Sequence, residues 1–251
     1  MRFRLKAFGL HLAASATVLS GTLGALYWGW YHWPGWYLAS VLPVVAVMVG
    51  VDVVLGPLLT LVIASERKPR RELTRDIGII IAVQLVAFGY GANTLWHGRP
   101  LYYAFSVNCL SLVQALDLEP EDAARARQKD LPLAPRWNSL PRWIYAPLPA
   151  NQDESGRIVS SAIAGGYDVT ARPTYYRRWA EGAGDLRAHL QKVDDIKYFT
   201  GPERERLKGR MRAAGFDPAQ PITLAFTGRA RPLLAVIDPA RLELRALIPA
   251  T

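Results

Sequence analysis

The stretch VLPVVAVMVGVDVVLGPLLTLVIA, residues 41–64, decides how this chain folds. It carries one ionisable side chain, Asp52, in a run longer than the roughly 20 apolar residues an α-helix needs to cross about 30 Å of hydrocarbon. Working outward, the run begins at Trp36 and is flanked by two others, residues 9–30 before it and residues 77–96 after it, the last containing IGIIIAVQLVAFGYG. Three transmembrane helices over 9–30, 36–64 and 77–96 are therefore expected, together forming a membrane domain of residues 1–96. The first run is rich in Ala, Ser, Thr and Gly and follows a basic start (Arg2, Arg4, Lys6), a pattern shared with secretory signal peptides. Retention as a helix is expected, and cleavage would leave the sidedness of the remainder unchanged.

Charge and tryptophan orient these helices by separate routes. The protein has 251 residues, with 30 Lys+Arg against 21 Asp+Glu. Arg2, Arg4, Lys6, Arg67, Lys68, Arg70, Arg71 and Arg75 lie at one end of the spans, and residues 31–35 at the other end hold no Lys or Arg. Cytoplasmic loops carry the basic excess, which puts the N-terminus and the 65–76 loop in the cytoplasm. Trp28, Trp30, Trp33, Trp36 and Trp96 gather at the opposite ends as an aromatic belt. These observations predict a bacterial inner-membrane protein with residues 97–251 in the periplasm. Between two spans the run RKPRR reads as orientation and contact with anionic lipid, not as a nucleic-acid patch. A hydrophobic fraction of 51% excludes a wholly disordered chain, and one cysteine excludes an internal disulfide and a multi-cysteine metal site.

Within the spans, Asp52 is the most informative residue. It lies about 12 residues, roughly 18 Å, from the cytoplasmic end, at a depth where a charge costs at least about 2.5 kcal/mol. It should face protein, either as a partner-helix or proton-handling site or as an internal hydrogen bond that fixes the packing. Ser20 and Tyr90 fall at similar depth on the other spans, with Gln84 nearer the cytoplasm. Gly56 and Pro57 follow four and five residues later; α-helical spacing predicts that Pro57 frees the Val53 carbonyl and kinks the helix. Pro43 is a second candidate kink. Ala13, Thr17, Gly21 and Ala25, with the parallel row Ala16, Ser20 and Gly24, present small faces on which a second helix packs closely. Ser20, Asp52, Gly56, Pro57 and Tyr90 together form the candidate intramembrane partner or packing site.

The periplasmic part reads as an α+β domain with an antiparallel sheet. LYYAFSV (101–107) and LSLVQAL (110–116) suggest a hairpin. A short helix is expected from Pro120, then a proline-rich extended loop over 131–149 bearing Trp137, Trp143 and Tyr145. Helices are expected over 185–198 and, marked by the Thr200 and Glu203 capping box with Pro202, up to Gly215. ITLAFTG, PLLAVID and LELRALI close the chain as strands, the last two joined by a turn at Asp238. No nucleophile elbow, zinc motif or phosphate loop is present, and His11, His32, His97 and His189 lack metal spacing. A familiar active site is therefore not expected, nor a cofactor or metal; an unfamiliar active site stays open on this ground.

RFRLKAFGLHL at the start, VDVVLGPLLTLVI (51–63), RPLYYAF (99–105) and the closing RPLLAVIDPARLELRALI together resemble the TfpX/TfpZ family of type IV pilin accessory proteins. The likeness covers both ends of the chain; residues 118–201 match loosely, and Asn108-Cys109 stands where an acidic and a basic residue are expected. Arg99, Pro100 and Asp238 are the family-motif positions outside the spans. The resemblance implies a non-enzymatic inner-membrane accessory factor for type IV pilus biogenesis, with the pilin, the pilus assembly machinery and the lipid bilayer as partners. It would act by modulating pilin stability, assembly or pilus dynamics. A membrane-anchored periplasmic ligand-binding or sensing protein is the alternative, although a cytoplasmic loop of about a dozen residues leaves no room for an output domain.

Overall fold

The computed structural model of the protein describes residues 1–65 and 68–250; Arg67, one of the sidedness signals, lies outside them. The chain divides into two compact units, Met1–His32 with Ser40–Gly98, and Trp33–Ala39 with the residues from Arg99 onward.

The first unit holds three helices long and apolar enough to cross a membrane: α1 (Arg2–Tyr31), α3 (Leu42–Ile63) and α4 (Arg70–His97). The apolar run that begins at Trp36 is not continuous helix. A single turn, α2 (Gly35–Leu38), belongs to the second unit, and Ser40 breaks the chain with a left-handed φ of 54°. Helix α3 then restarts with Pro43 in its first turn, where a missing N–H costs no bond, so this proline opens a helix and does not kink one. The surface of the unit is apolar: Leu10, Val47, Val62, Leu85 and Val86 all point outward. Its interior holds Leu19, Met48, Ile80 and Leu95. Met48 fills the space at Gly91, where a Cβ would meet its Cγ at 2.6 Å. The Tyr31 hydroxyl donates to the Leu95 carbonyl at 2.7 Å and the Trp30 and Trp96 rings meet edge-on at 5.2 Å, pinning α1 to α4 at the aromatic end.

The second unit is built on seven strands: β1 (Pro100–Ser106), β2 (Cys109–Gln114), β3 (Arg142–Tyr145), β4 (Arg177–Arg178), β5 (Thr223–Thr227), β6 (Leu233–Ile237) and β7 (Leu244–Pro249), in the order β4-β3-β1-β2-β5-β6-β7. The expected antiparallel sheet is corrected to a mixed one, because β1 runs parallel to β3 and β2 parallel to β5. The antiparallel pairs β1–β2, β5–β6 and β6–β7 are local hairpins and meanders that turn residues announce, whereas β4 reaches β3 only after a long excursion of the chain. A parallel neighbour needs a crossover, here supplied by helix α5 (Pro120–Gln128) between β2 and β3. The proline-rich stretch 131–149 therefore contains strand β3.

Three further helices follow: α6 (Gln152–Ile163), capped by Asn151, α7 (Ala183–His189), and α8 (Gly201–Ala213). The helix expected over 185–198 ends at His189, since Gln191 bridges to Thr223, whose hydroxyl donates back to the Gln191 carbonyl at 2.6 Å. The capping box of α8 forms as expected, with the Thr200 amide donating to Glu203 Oε2 at 2.8 Å. Register places Tyr145, Phe105, Leu110, Phe226 and Leu233 in one row across β3, β1, β2, β5 and β6. On this face Trp179 meets Trp143 at 5.4 Å. The opposite face carries two apolar clusters, one with Ala123 of α5 over Ala104, Val113 and Ile144, the other with Leu207 and Met211 of α8 over Ala225, Leu234 and Val236.

Candidate functional site

Proline 57 shapes the interior of the three-helix unit. Over Gly50–Leu55 helix α3 changes to π-type bonding, and the Gly56 amide reaches back five residues to the Val51 carbonyl. In that register the next carbonyl, that of Asp52, needs the amide of residue 57, which proline lacks. Pro57 therefore leaves Asp52 O without its π-register donor. Gln84 of α4 supplies the missing donor, its Nε2 standing 3.0 Å from Asp52 O. Gly56 leaves the room that the Gln84 amide occupies, and a Cβ there would overlap it and displace it.

The chain of polar contacts continues into α1. His11 Nε2 lies 2.7 Å from Gln84 Oε1, and His11 Nδ1 lies 2.6 Å from Thr60 Oγ1. Gln84 Oε1 only accepts, so Nε2 carries a proton. The Thr60 hydroxyl, 3.1 Å from Gly56 O, either keeps that carbonyl as its acceptor and receives a second imidazole proton or turns to donate to Nδ1. One histidine thus ties α1 to both other helices. Asp52 itself is 5% exposed, and no hydrogen-bond partner among the described residues reaches its Oδ2.

Of the five candidate intramembrane residues, the structure brings together Asp52, Gly56 and Pro57, all buried in the unit. Ser20 and Tyr90 do not join them: Ser20 points outward from α1, and Tyr90 is 76% exposed on α4. Estimated depth locates a residue along a helix but not around it. The partners that do complete the cluster, His11 and Thr60, were missed; a histidine and a threonine in otherwise apolar spans were the available signal, since each needs a partner in hydrocarbon. The small row Ala13, Thr17, Gly21 and Ala25 also faces outward, and nothing lies within 4 Å of a Cβ placed on Gly21.

In the second unit Arg99 is buried, and its Nη2 donates to the Trp137 carbonyl at 3.4 Å. Pro100 opens β1. Asp238 accepts from the amides of Ala240 (2.9 Å) and Arg241 (3.1 Å) and pairs with Arg245 at 2.6 Å. The Arg245 guanidinium and those amides hold its carboxyl down at about 2. All three motif positions thus serve the local fold. On the aromatic face a cavity of about 410 Å³ is lined by Leu110, Trp143, Trp179 and Leu244, among others. No group of three or more His, Cys, Asp or Glu that could hold a metal ion occurs among the described residues.

Three membrane-length helices enclosing a polar cluster, joined to a mixed-sheet domain, define the class: a helical membrane-associated protein with an appended α+β domain. Comparison with known proteins narrows this. The chain is 26% identical over 189 residues to the fimbrial assembly proteins of serogroups E1 and I of Dichelobacter nodosus, covering 74% of this chain and 70% of each relative. It is 28% identical over 124 residues to the fimbrial assembly protein of serogroups C1 and C2 of the same organism, covering 49% of this chain and 95% of the relative. No family model and no solved structure matches. The likeness supports a fimbrial assembly family and a role in fimbrial biogenesis.

Proposed function

We propose that the protein is a non-enzymatic accessory factor of type IV pilus biogenesis that binds pilin in the inner membrane and modulates its stability, assembly or dynamics. Its N-terminus lies in the cytoplasm and its sheet domain in the periplasm, as the basic loop ends and the aromatic belt indicate. The observation that carries this reading is the likeness to fimbrial assembly proteins across 74% of the chain.

The geometry adds a division of labour. The outward face of α1, with Ala13, Thr17, Ser20 and Gly21 unpacked, is where the membrane helix of a pilin docks. Asp52, Gly56, Pro57, Gln84 and His11 hold the three helices together from within and so shape that face, while the sheet domain contacts the pilin head. In-cell photo-crosslinking tests this. A crosslinker at Ser20 captures pilin, one at Tyr90 on α4 captures less, and a correctly inserted protein that yields no pilin adduct from either position overturns the docking. Replacing Asp52 by Asn separates charge from packing: unchanged pilus counts assign it a purely structural role.

A further inference from the structure

We propose that the turn bearing Trp137 and Leu140 is a second membrane anchor, which seats in the headgroup layer of the bilayer. The turn is rigid. Ser139 is buried, and its hydroxyl accepts from the Arg136 amide at 2.9 Å while its own amide donates to the Arg136 carbonyl at 3.1 Å. Tyr102 OH fixes the preceding segment by donating to the Leu133 carbonyl at 2.7 Å. From this fixed base two large apolar side chains project, Trp137 at 76% exposure and Leu140 at 54%. A tryptophan is an amphipathic ring suited to a surface that is apolar on one side and wet on the other.

The sheet itself says which surface that is. Strand β1 begins at Pro100, three residues after α4 ends at His97, so at most about 11 Å of chain separates them. Strand β3 runs parallel to β1 with Arg142 opposite Tyr102, so the residues entering β3, Leu140 and Pro141 among them, lie at the end of the sheet where the chain arrives from α4. The Arg99 guanidinium bonded to the Trp137 carbonyl ties the turn to that same end. Strand β5 is parallel to β2 and hence antiparallel to β1; just beyond its last residue the amides of Arg229 and Ala230 donate to Leu38 O in the segment linking α1 to α3. Trp33, Trp36 and Tyr37 of that segment meet one another in tilted and edge-on contacts. One end of the sheet thus carries the start of β1, the aromatic 33–39 segment and the Trp137 turn, all within this unit. The occupant that matches is the lipid interface that the helix ends already meet.

The inference rests on α4 crossing a bilayer, and the test reports on that separately. The full chain carrying Cys109→Ser and Trp137→Cys, or Cys109→Ser and Leu140→Cys, is labelled with an environment-sensitive fluorophore and reconstituted into phosphatidylethanolamine–phosphatidylglycerol vesicles. Ile163→Cys, at an exposed site on α6, and Val86→Cys, on the outward face of α4, provide controls. Labels at 137 and 140 are expected to be quenched several-fold more strongly by a lipid bearing its quencher near the headgroup than is the label at 163. The label at 86 responds to a quencher deep in the acyl chain, and its failure to do so would refute the span and not the turn alone. Labels at 137 and 140 as open to aqueous iodide as that at 163 overturn the anchor. So do labels shielded from iodide yet untouched by lipid quenchers, which would assign the turn to a protein contact.

Discussion

The two halves of this protein are built inside out with respect to each other. The helical unit turns Leu10, Val62 and Val86 outward and keeps His11, Thr60, Gln84 and Asp52 within, whereas the sheet domain buries Phe105, Phe226, Leu207 and Met211 and exposes most of its arginines. In water, burial of apolar area drives folding, at about 25 cal/mol per Å². In lipid that gain vanishes, and helices are held by close packing and interhelical hydrogen bonds. Each half carries the kind of interior that its own solvent makes cohesive.

The contrast can be broken first where it is largest. Replacing the fully buried Phe226 by Ala removes the centre of the aromatic row and should cost the sheet domain about 3–5 kcal/mol. Limited proteolysis should then degrade that domain at a lower temperature while the helical unit stays protected. A smaller effect is expected from Gln84→Leu, which deletes the link from His11 to Asp52 O: about 1 kcal/mol, the scale of interhelical hydrogen bonds in membranes. A double-mutant cycle with His11→Leu, read by unfolding in mixed micelles, should show coupling; strict additivity would mean that the two contacts are independent. The smallest concerns Asp238. Its carboxyl is held near 2, below the ordinary range, so the stability it contributes is present above about pH 4 and is lost as pH falls through 2. Hydrogen exchange of the Ala240 and Arg241 amides should therefore accelerate over that window, and Asp238→Asn should abolish the dependence.

What could be read from residues alone follows the same division. Length and hydropathy locate α1, α3 and α4, and turn chemistry locates the β1–β2 hairpin, the α8 capping box and the Asp238 turn, because each is a local signal. Pairings such as Ala104 with Ile144 and Leu110 with Phe226 join segments about 40 and more than 100 residues apart, and nothing local marks them. In the spans, depth along the axis is legible from residue counts but rotation is not, so Ser20 and Tyr90 group with Asp52 by depth although both face outward. The π-helical stretch that leaves Asp52 O to the Gln84 amide has no sequence signature of its own.

Leu38 accepts two amides from a turn that the ribosome reaches 191 residues later, at Arg229. At about 5–20 residues per second the α1–α3 connection waits roughly 10–40 s for those donors. During that interval the short helix Gly35–Leu38 lacks the donors that hold its last carbonyl, and a nascent chain stalled before Gly228 would leave it unclasped. A turn made late in the sheet domain thus fastens a segment made long before it.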